Sequence, residues 1–248
     1  MVGEPSDIPS TERHLHFQVI AALADGTPRG AESFLRWIDA AGDMVPTVAW
    51  LPAASTGGVL TGYAIDAQPT WVECAERFGD LIVSFNTSGQ DLLDDSWMQA
   101  TVDAAASTDA TLALEIAHIH FDARVANEVA PLWDTPHIPD LSARLAALRA
   151  AGLEIWLDDY GDTFRDEAIF EHPEIDRIKF DQTFLNLPVD ELADLAYRTG
   201  DAGKSVIIEG IETEAQRRHG FDAGIRLGQG FLFGWPMPLD EFGESIGR

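Results

Sequence analysis

Short apolar runs recur along the chain, and most are followed by a longer stretch whose apolar residues fall on one helical face. These runs predict strands over 16–21, 31–35, 81–85, 112–115, 154–157, 175–180, 205–208 and 223–227. Helical periodicity fills the gaps. Pro139 and Asp140 open one stretch, Leu141, Leu145 and Leu148 share its face, and Gly152 ends it. A second runs over 190–198, with Leu192 and Leu195 on one side. Eight strands alternating with helices predict an α/β fold, a (β/α)8 TIM-type barrel, ahead of a doubly wound open sheet.

What ends each strand narrows the choice. Glu32 lies near the end of its run; Asn86, Glu115, Asp158, Lys179 or Asp181, Glu209 and Gln229 follow the others. In a barrel such residues converge on the rim where these folds place their chemistry. Each polar strand end could be a turn or a helix cap; their repetition along the chain argues against that reading. The segment Ile155-Trp156-Leu157-Asp158-Asp159-Tyr160-Gly161 is the sharpest case, because two adjacent carboxylates leave a buried strand together. Neighbouring carboxylates repel and need a cation or a shared proton, and oxygen ligands suit Mg2+ or Mn2+.

Composition adds limits. The chain has 248 residues, 46% of them hydrophobic, which suffices for one large domain. Residues 1–13 are polar and are expected to form a flexible tail, with the domain running over 14–248. No apolar run is long enough for a membrane span. The single cysteine, Cys74, and the absence of an export signal point to the cytoplasm. The formal net charge is −26, with 42 acidic against 16 basic residues, which excludes an ordinary binder of nucleic-acid duplexes. An anionic substrate must then be met locally by metal ions and a few cations. Lys179 and Lys204 are the only two lysines in a chain that otherwise uses arginine. A structural lysine tolerates arginine; one that places a compact charge does not. Lys204→Arg is therefore expected to be silent, and Lys179→Arg to fold, bind and lose turnover.

Seven segments in order resemble the EAL domain family, whose members hydrolyse cyclic di-GMP. They are Gly30-Ala31-Glu32-Ser33-Phe34-Leu35-Arg36-Trp37, Phe85-Asn86-Thr87-Ser88, Glu115-Ile116-Ala117-His118, Asp158-Asp159-Tyr160-Gly161, Ile178-Lys179-Phe180-Asp181, Ile208-Glu209-Gly210-Ile211-Glu212-Thr213 and Gln229-Gly230-Phe231-Leu232-Phe233-Gly234-Trp235-Pro236. The resemblance runs from Phe17-Gln18 to Pro238. It implies a barrel with two divalent ions, Mg2+ or Mn2+, at the rim. Glu32, Asn86, Glu115 and Asp158 would hold the first ion; Asp158 would bridge, and Asp159 would help hold the second. Lys179, Glu209, Glu212 and Gln229 would take the catalytic roles, and Arg36, Gln18, Asp181 and Pro236 would contact substrate. The expected reaction is hydrolysis of cyclic di-GMP to linear pGpG by a protein that could form a homodimer. The alternatives are a degenerate domain that senses the nucleotide or a partner protein, and a phosphodiesterase for another dinucleotide.

Three departures stand out. Glu32-Ser33-Phe34 replaces the family's Glu-Ala-Leu, and Ser33→Ala and Phe34→Leu are expected to be nearly neutral. The loop over 160–166 loses a glycine and gains charges, and in the family that loop couples the second metal to dimerisation. His118 replaces a glutamate and, with His120, forms an alternating pair that reads as partly exposed histidines rather than a zinc site, since no third ligand is near.

Overall fold

The computed structural model describes residues 13–39, 42–47, 59–117, 141–161 and 167–247. Most of the expected tail, the helix start at Pro139 and Asp140, the His118–His120 pair and residues 162–166 of the altered loop lie outside the described residues. In chain order the elements are β1 (Arg13–Ala22), β2 (Pro28–Ile38), the short β3 (Met44–Val45), α1 (Val59–Arg77), β4 (Ile82–Thr87), α2 (Gly89–Leu93), α3 (Asp95–Ala106), β5 (Leu112–Ala117), α4 (Leu141–Ala150), β6 (Glu154–Tyr160), β7 (Arg177–Phe180), α5 (Val189–Asp201), β8 (Ser205–Ile208), α6 (Glu214–Asp222), β9 (Leu227–Gln229), β10 (Met237–Pro238) and α7 (Leu239–Ser245). No helix among the described residues is long and apolar enough to cross a membrane.

Eight of the strands close into a barrel in the order β1-β2-β4-β5-β6-β7-β8-β9, with β9 returning to β1. The expected barrel is present, with two corrections. No helix separates the first two strands. Asp25 Oδ1 accepts from Thr27 N at 2.9 Å, Gly26 has φ 76°, and the chain turns straight back. β1 is therefore antiparallel to both β2 and β9, while β2 and β4 to β9 run parallel. A parallel crossover needs a dozen or more residues, and this connection is too short. The last strand is Leu227–Gln229 rather than 223–227, because Ala223 caps α6 and Gly224 turns the chain at φ 87°.

Period two then sorts the side chains. Phe17, Val19, Val83, Phe85, Leu114, Ile155, Leu157, Ile178, Phe180 and Ile208 face outward and share one core with the helices. Leu141, Leu145 and Leu148 of α4 and Leu192 and Leu195 of α5 are buried in it, as their spacing predicts. Asp94 caps α3, its carboxylate accepting from Ser96 N and Trp97 N. The intervening strand residues face inward. Ile20, Ala113, Trp156 and Ile207 form a separate apolar plug inside the barrel. One step further along the same strands come Gln18, Glu115, Asp158 and Glu209, with Lys179 of β7 beside them, so the alternation that packs the plug also delivers polar groups above it.

Candidate active site

Lys179 is the centre of the site. Its side chain is 1% exposed, and Nζ lies 2.6 Å from Glu115 Oε2, 2.9 Å from Glu32 Oε2, 2.9 Å from Glu209 Oε1 and 3.0 Å from Asp158 Oδ1. The expected convergence of these four carboxylates on one rim is met. An ammonium carries three donors, so four carboxylates exceed what it can satisfy. Asp158 Oδ1 shows this directly: it lies 3.0 Å from Nζ and has no hydrogen-bond partner among the described residues, and the second oxygen of the fully buried Glu115, Oε1, has none either.

Amides complete the layer. Asn86 Nδ2 donates to Glu32 Oε1 at 2.8 Å, and Gln229 Nε2 donates to Glu32 Oε2 at 2.9 Å. Gln229 also donates to Gln18 Oε1 at 3.0 Å, and Gln18 Nε2 donates to the Gly234 carbonyl at 2.9 Å. Both ends of the Gln18 amide are thus committed, and it ties the loop carrying Pro236 to the site. Gly230, with φ 155°, follows Gln229; a Cβ there would stand 2.3 Å from Ile211 N, so only glycine lets the backbones approach.

Asp158 and Asp159 should point to opposite faces in a regular strand. They do not, because the pairing of β6 with β7 shifts between Leu157 and Tyr160, and Asp159 adopts φ 55°. It is the one non-glycine residue with positive φ among the described residues. Strain of this kind gathers at functional sites. Here it turns both carboxylates to one side, and oxygens of Asp158, Asp159 and Glu209 lie within 4.8 Å of one another. Gly161 follows at φ 119°, where a Cβ would meet the Phe184 ring at 2.0 Å.

The electrostatics record the crowding. Burial, with Glu32 next, pushes Glu115 well above the usual carboxylate range. Burial likewise raises Glu209 to about 8. Burial and then the adjacent Asp158 charge raise Asp159 to about 6. For Lys179 burial acts downward, but Asp158, Glu115, Glu209 and Glu32 together hold the ammonium well above its ordinary value. The cluster therefore has more acid than its cation neutralises. An all-oxygen donor set, an orphaned buried oxygen and protons held above the usual range fit a hard divalent cation.

The other expected residues lie further out. Glu212 is exposed, and its backbone N donates to Gln216 Oε1 at 2.9 Å beside the α6 cap; no described contact joins its carboxylate to the Lys179 cluster. Asp181 accepts from Thr183 N at 2.8 Å, and its charge acts on Asp159. Arg36 is half-buried on β2 beyond Glu32, with its guanidinium over the Phe34 ring. Pro236 places its carbonyl beside His16. Among the aromatics, Trp156 is part of the plug, and Trp235 is exposed and stacks on Phe231 at 3.6 Å. The altered signature also has a partner that sequence reading missed: Trp71 Nε1 donates to Ser33 Oγ at 2.8 Å in a buried contact between α1 and β2. Only the unusual pairing of a polar residue beside Glu32 hinted at it.

Known proteins resemble this chain in sequence and in fold. A probable cyclic di-GMP phosphodiesterase of Escherichia coli, PdeB, is 25% identical over 245 residues, covering 92% of this chain and 43% of that protein. The PaMucR phosphodiesterase in complex with c-di-GMP superposes with a TM-score of 0.75 at 21% identity, over 94% of each chain. BlrP1 of Klebsiella pneumoniae, in a manganese and cy-diGMP complex, superposes with a TM-score of 0.71 at 19% identity, over 92% of this chain and 57% of that one. The chain spans 28–43% of the length of curated relatives matched along most of it. The family model for the EAL domain matches residues 6–236, and the chain belongs to the EAL domain family.

Proposed function

We propose that the protein is a metal-dependent phosphodiesterase that hydrolyses cyclic di-GMP to linear pGpG. The carrying observation is the set of four carboxylates around one buried lysine, with Asp159 turned in beside them by a strained backbone. Glu32, Asn86, Glu115 and Asp158 would hold one ion, and Asp158, Asp159 and Glu209 offer oxygens for a second. Manganese in the BlrP1 complex and the all-oxygen donor set support Mg2+ or Mn2+, and this reading takes two per site. Bound metals supply a water acidic enough to attack at neutral pH and neutralise charge on the phosphoryl oxygens.

The chain's own residues have separable tasks in this reading. Lys179 places a fixed cation where negative charge grows on the phosphoryl group. Burial keeps Glu209 protonated at neutral pH in the metal-free protein; once a bound cation displaced that proton, the carboxylate would accept a proton from the attacking water and return it to the leaving oxygen. Gln229 orients Glu32, and Gln18 positions Gln229 and the loop through Pro236. Arg36 reaches a substrate phosphate, and Asp181 acts next to Asp159. Glu212 acts from outside the cluster, by way of solvent or a bound ion. The homodimer and the reducing, cytoplasmic setting belong to the same reading; Cys74 is buried and free, and burial pushes its thiol up to about 12.

The test is incubation of the protein with cyclic di-GMP and Mg2+ or Mn2+, followed by anion-exchange analysis. Appearance of linear pGpG only with metal is the expected result. Tight nucleotide binding with no product would assign the chain to nucleotide sensing instead, and turnover of other cyclic dinucleotides at equal rate would change the substrate.

A further inference from the structure

On the outer wall of the barrel, α1 and α3 lie side by side with a groove of about 920 Å3 between them. Along α1 the lining residues recur at helical spacing, from Ile65 through Pro69 and Val72 to Arg77, so they form one stripe. At a rise of about 1.5 Å per residue the stripe is about 18 Å long, or about three turns of helix. Across from it α3 presents Ala100 and Ala104, whose small side chains leave the space open. The two helices are held together by a buried bond, in which Gln68 Nε2 donates to Thr101 Oγ1 at 2.7 Å.

The walls are apolar, and the unmet polar capacity around them is for accepting. Gln68 lines the groove and is 4% exposed, and its Oε1 has no partner among the described residues. Pro69 has no N–H, so the Ile65 carbonyl lacks the donor that a regular helix supplies four residues on. Glu73, Glu76 and Asp103 stand exposed along the edges. None of the three forms an ion pair among the described residues, and Asp103 accepts from the neutral Gln99 amide at 2.8 Å. Arg77, the cation on the lining, is already engaged by Asp240 at 2.7 Å. The groove is thus apolar within and negative at its edge.

We propose that this groove seats a basic amphipathic helix of a partner protein. A stripe of about three turns matches the apolar face of such a helix. The acidic edge and the spare acceptors match lysines or arginines on its flanks. A second copy of this chain fits poorly, since it carries 42 acidic residues against 16 basic ones and would bring like charge to the edge. α1 also carries Trp71, whose Nε1 donates to Ser33 beside Glu32, so an occupant rests on the helix that packs behind the Lys179 cluster. The inference stands on the outer wall and does not depend on the phosphodiesterase reading.

The probe is a fluorescein-labelled peptide of about 18 residues that repeats leucine and lysine at helical spacing. Two controls accompany it: one with glutamate in place of lysine, and one with the same residues in an order that removes the apolar face. Anisotropy is read at an ionic strength of about 0.15 M, which screens charges more than about 8 Å apart. The wild-type protein should bind the first peptide at least about tenfold more tightly than either control. Ala104→Trp, which fills the groove, should weaken binding at least about tenfold, as should Glu73→Lys with Glu76→Lys, which reverses its edge. Asp190→Lys with Glu191→Lys makes the same change of charge on α5 and should leave affinity within about twofold. Thermal melts check folding; should Ala104→Trp fail to fold, the exposed edge pair decides. Absence of binding by the wild type overturns the proposal, as does unchanged affinity in folded Ala104→Trp or in the edge pair. An equal loss in the edge and α5 variants also overturns it, because the attraction then belongs to the acidic surface at large. A dimer in sedimentation that Ala104→Trp separates would give the groove to a second copy and overturn it likewise.

Discussion

At the residue scale, the two lysines resolve differently from a reading of sequence alone. Lys179 is enclosed by four carboxylates at 2.6–3.0 Å, so the larger, planar guanidinium has no room. Lys179→Arg is expected to abolish most turnover and also to cost about 1–3 kcal/mol of stability through overpacking. Turnover and chemical denaturation measured together check this; full activity removes the lysine from the mechanism. Lys204 is not idle, since its Nζ donates to the His172 and Ile175 carbonyls at 2.8 Å each. Its replacement affects stability, not catalysis. Ser33 has a structural task that leaves its expected neutrality in turnover in place. Ser33→Ala leaves the buried Trp71 Nε1 without an acceptor and is expected to lower stability by about 1–3 kcal/mol while kcat stays near wild type. A denaturation midpoint equal to wild type would refute the role assigned to that bond.

At the scale of elements, the end of β6 decides whether there is a site. Regular pleating would send Asp158 and Asp159 apart; the register shift before Tyr160 and the φ of 55° at Asp159 bring them together. A non-glycine residue in that conformation carries strain of about 1 kcal/mol or more. Asp159→Gly should therefore stabilise the metal-free protein by about 0.5–1 kcal/mol while reducing metal affinity at least about tenfold. Melting in chelator and metal titration by calorimetry read the two effects separately. A variant that is less stable without metal shows that the conformation is not strained. The β1–β2 hairpin is the other decisive element. By folding back directly it closes the barrel, supplies Gln18 to the rim and carries Arg36 beyond it.

For the whole molecule, the surplus of buried acid makes stability depend on pH and on divalent metal. Glu209 at about 8, Asp159 at about 6 and Glu115 well above its ordinary value hold protons in the folded state that the unfolded chain releases near the ordinary carboxylate range. Where the folded state binds more protons, stability falls as pH rises. In chelator, Tm is expected to decline from about pH 4, where the unfolded chain's carboxyls titrate, through the folded values of about 6 and about 8. Saturating Mg2+ should raise Tm and flatten the decline, because the ion replaces the protons, and its binding should release protons to solvent. Melts across that range with and without Mg2+ check both signs. A metal-free Tm that rises with pH would mean the cluster is not over-supplied with acid.

Much of this was legible in the chain because one rule, period two along a strand, governs both packing and chemistry. The residues alternating with Leu114, Leu157, Ile178 and Ile208 had to face inward once the barrel closed, and Glu115, Asp158, Lys179 and Glu209 are those residues. Helix faces such as Leu141, Leu145 and Leu148 followed from local periodicity in the same way. Tertiary structure alone decided the rest. The reversal of β1 depends on a turn whose consequence is pairing with β9, more than two hundred residues away in the chain. The turn at Asp159 depends on room beside Gly161 and the Phe184 ring. The Ser33–Trp71 bond, the Gln18–Gly234 tie and the outward position of Glu212 join or separate groups distant in sequence. Local patterns specify which face a side chain takes; which distant group meets it there is set by how the strands close and where the backbone leaves its regular path.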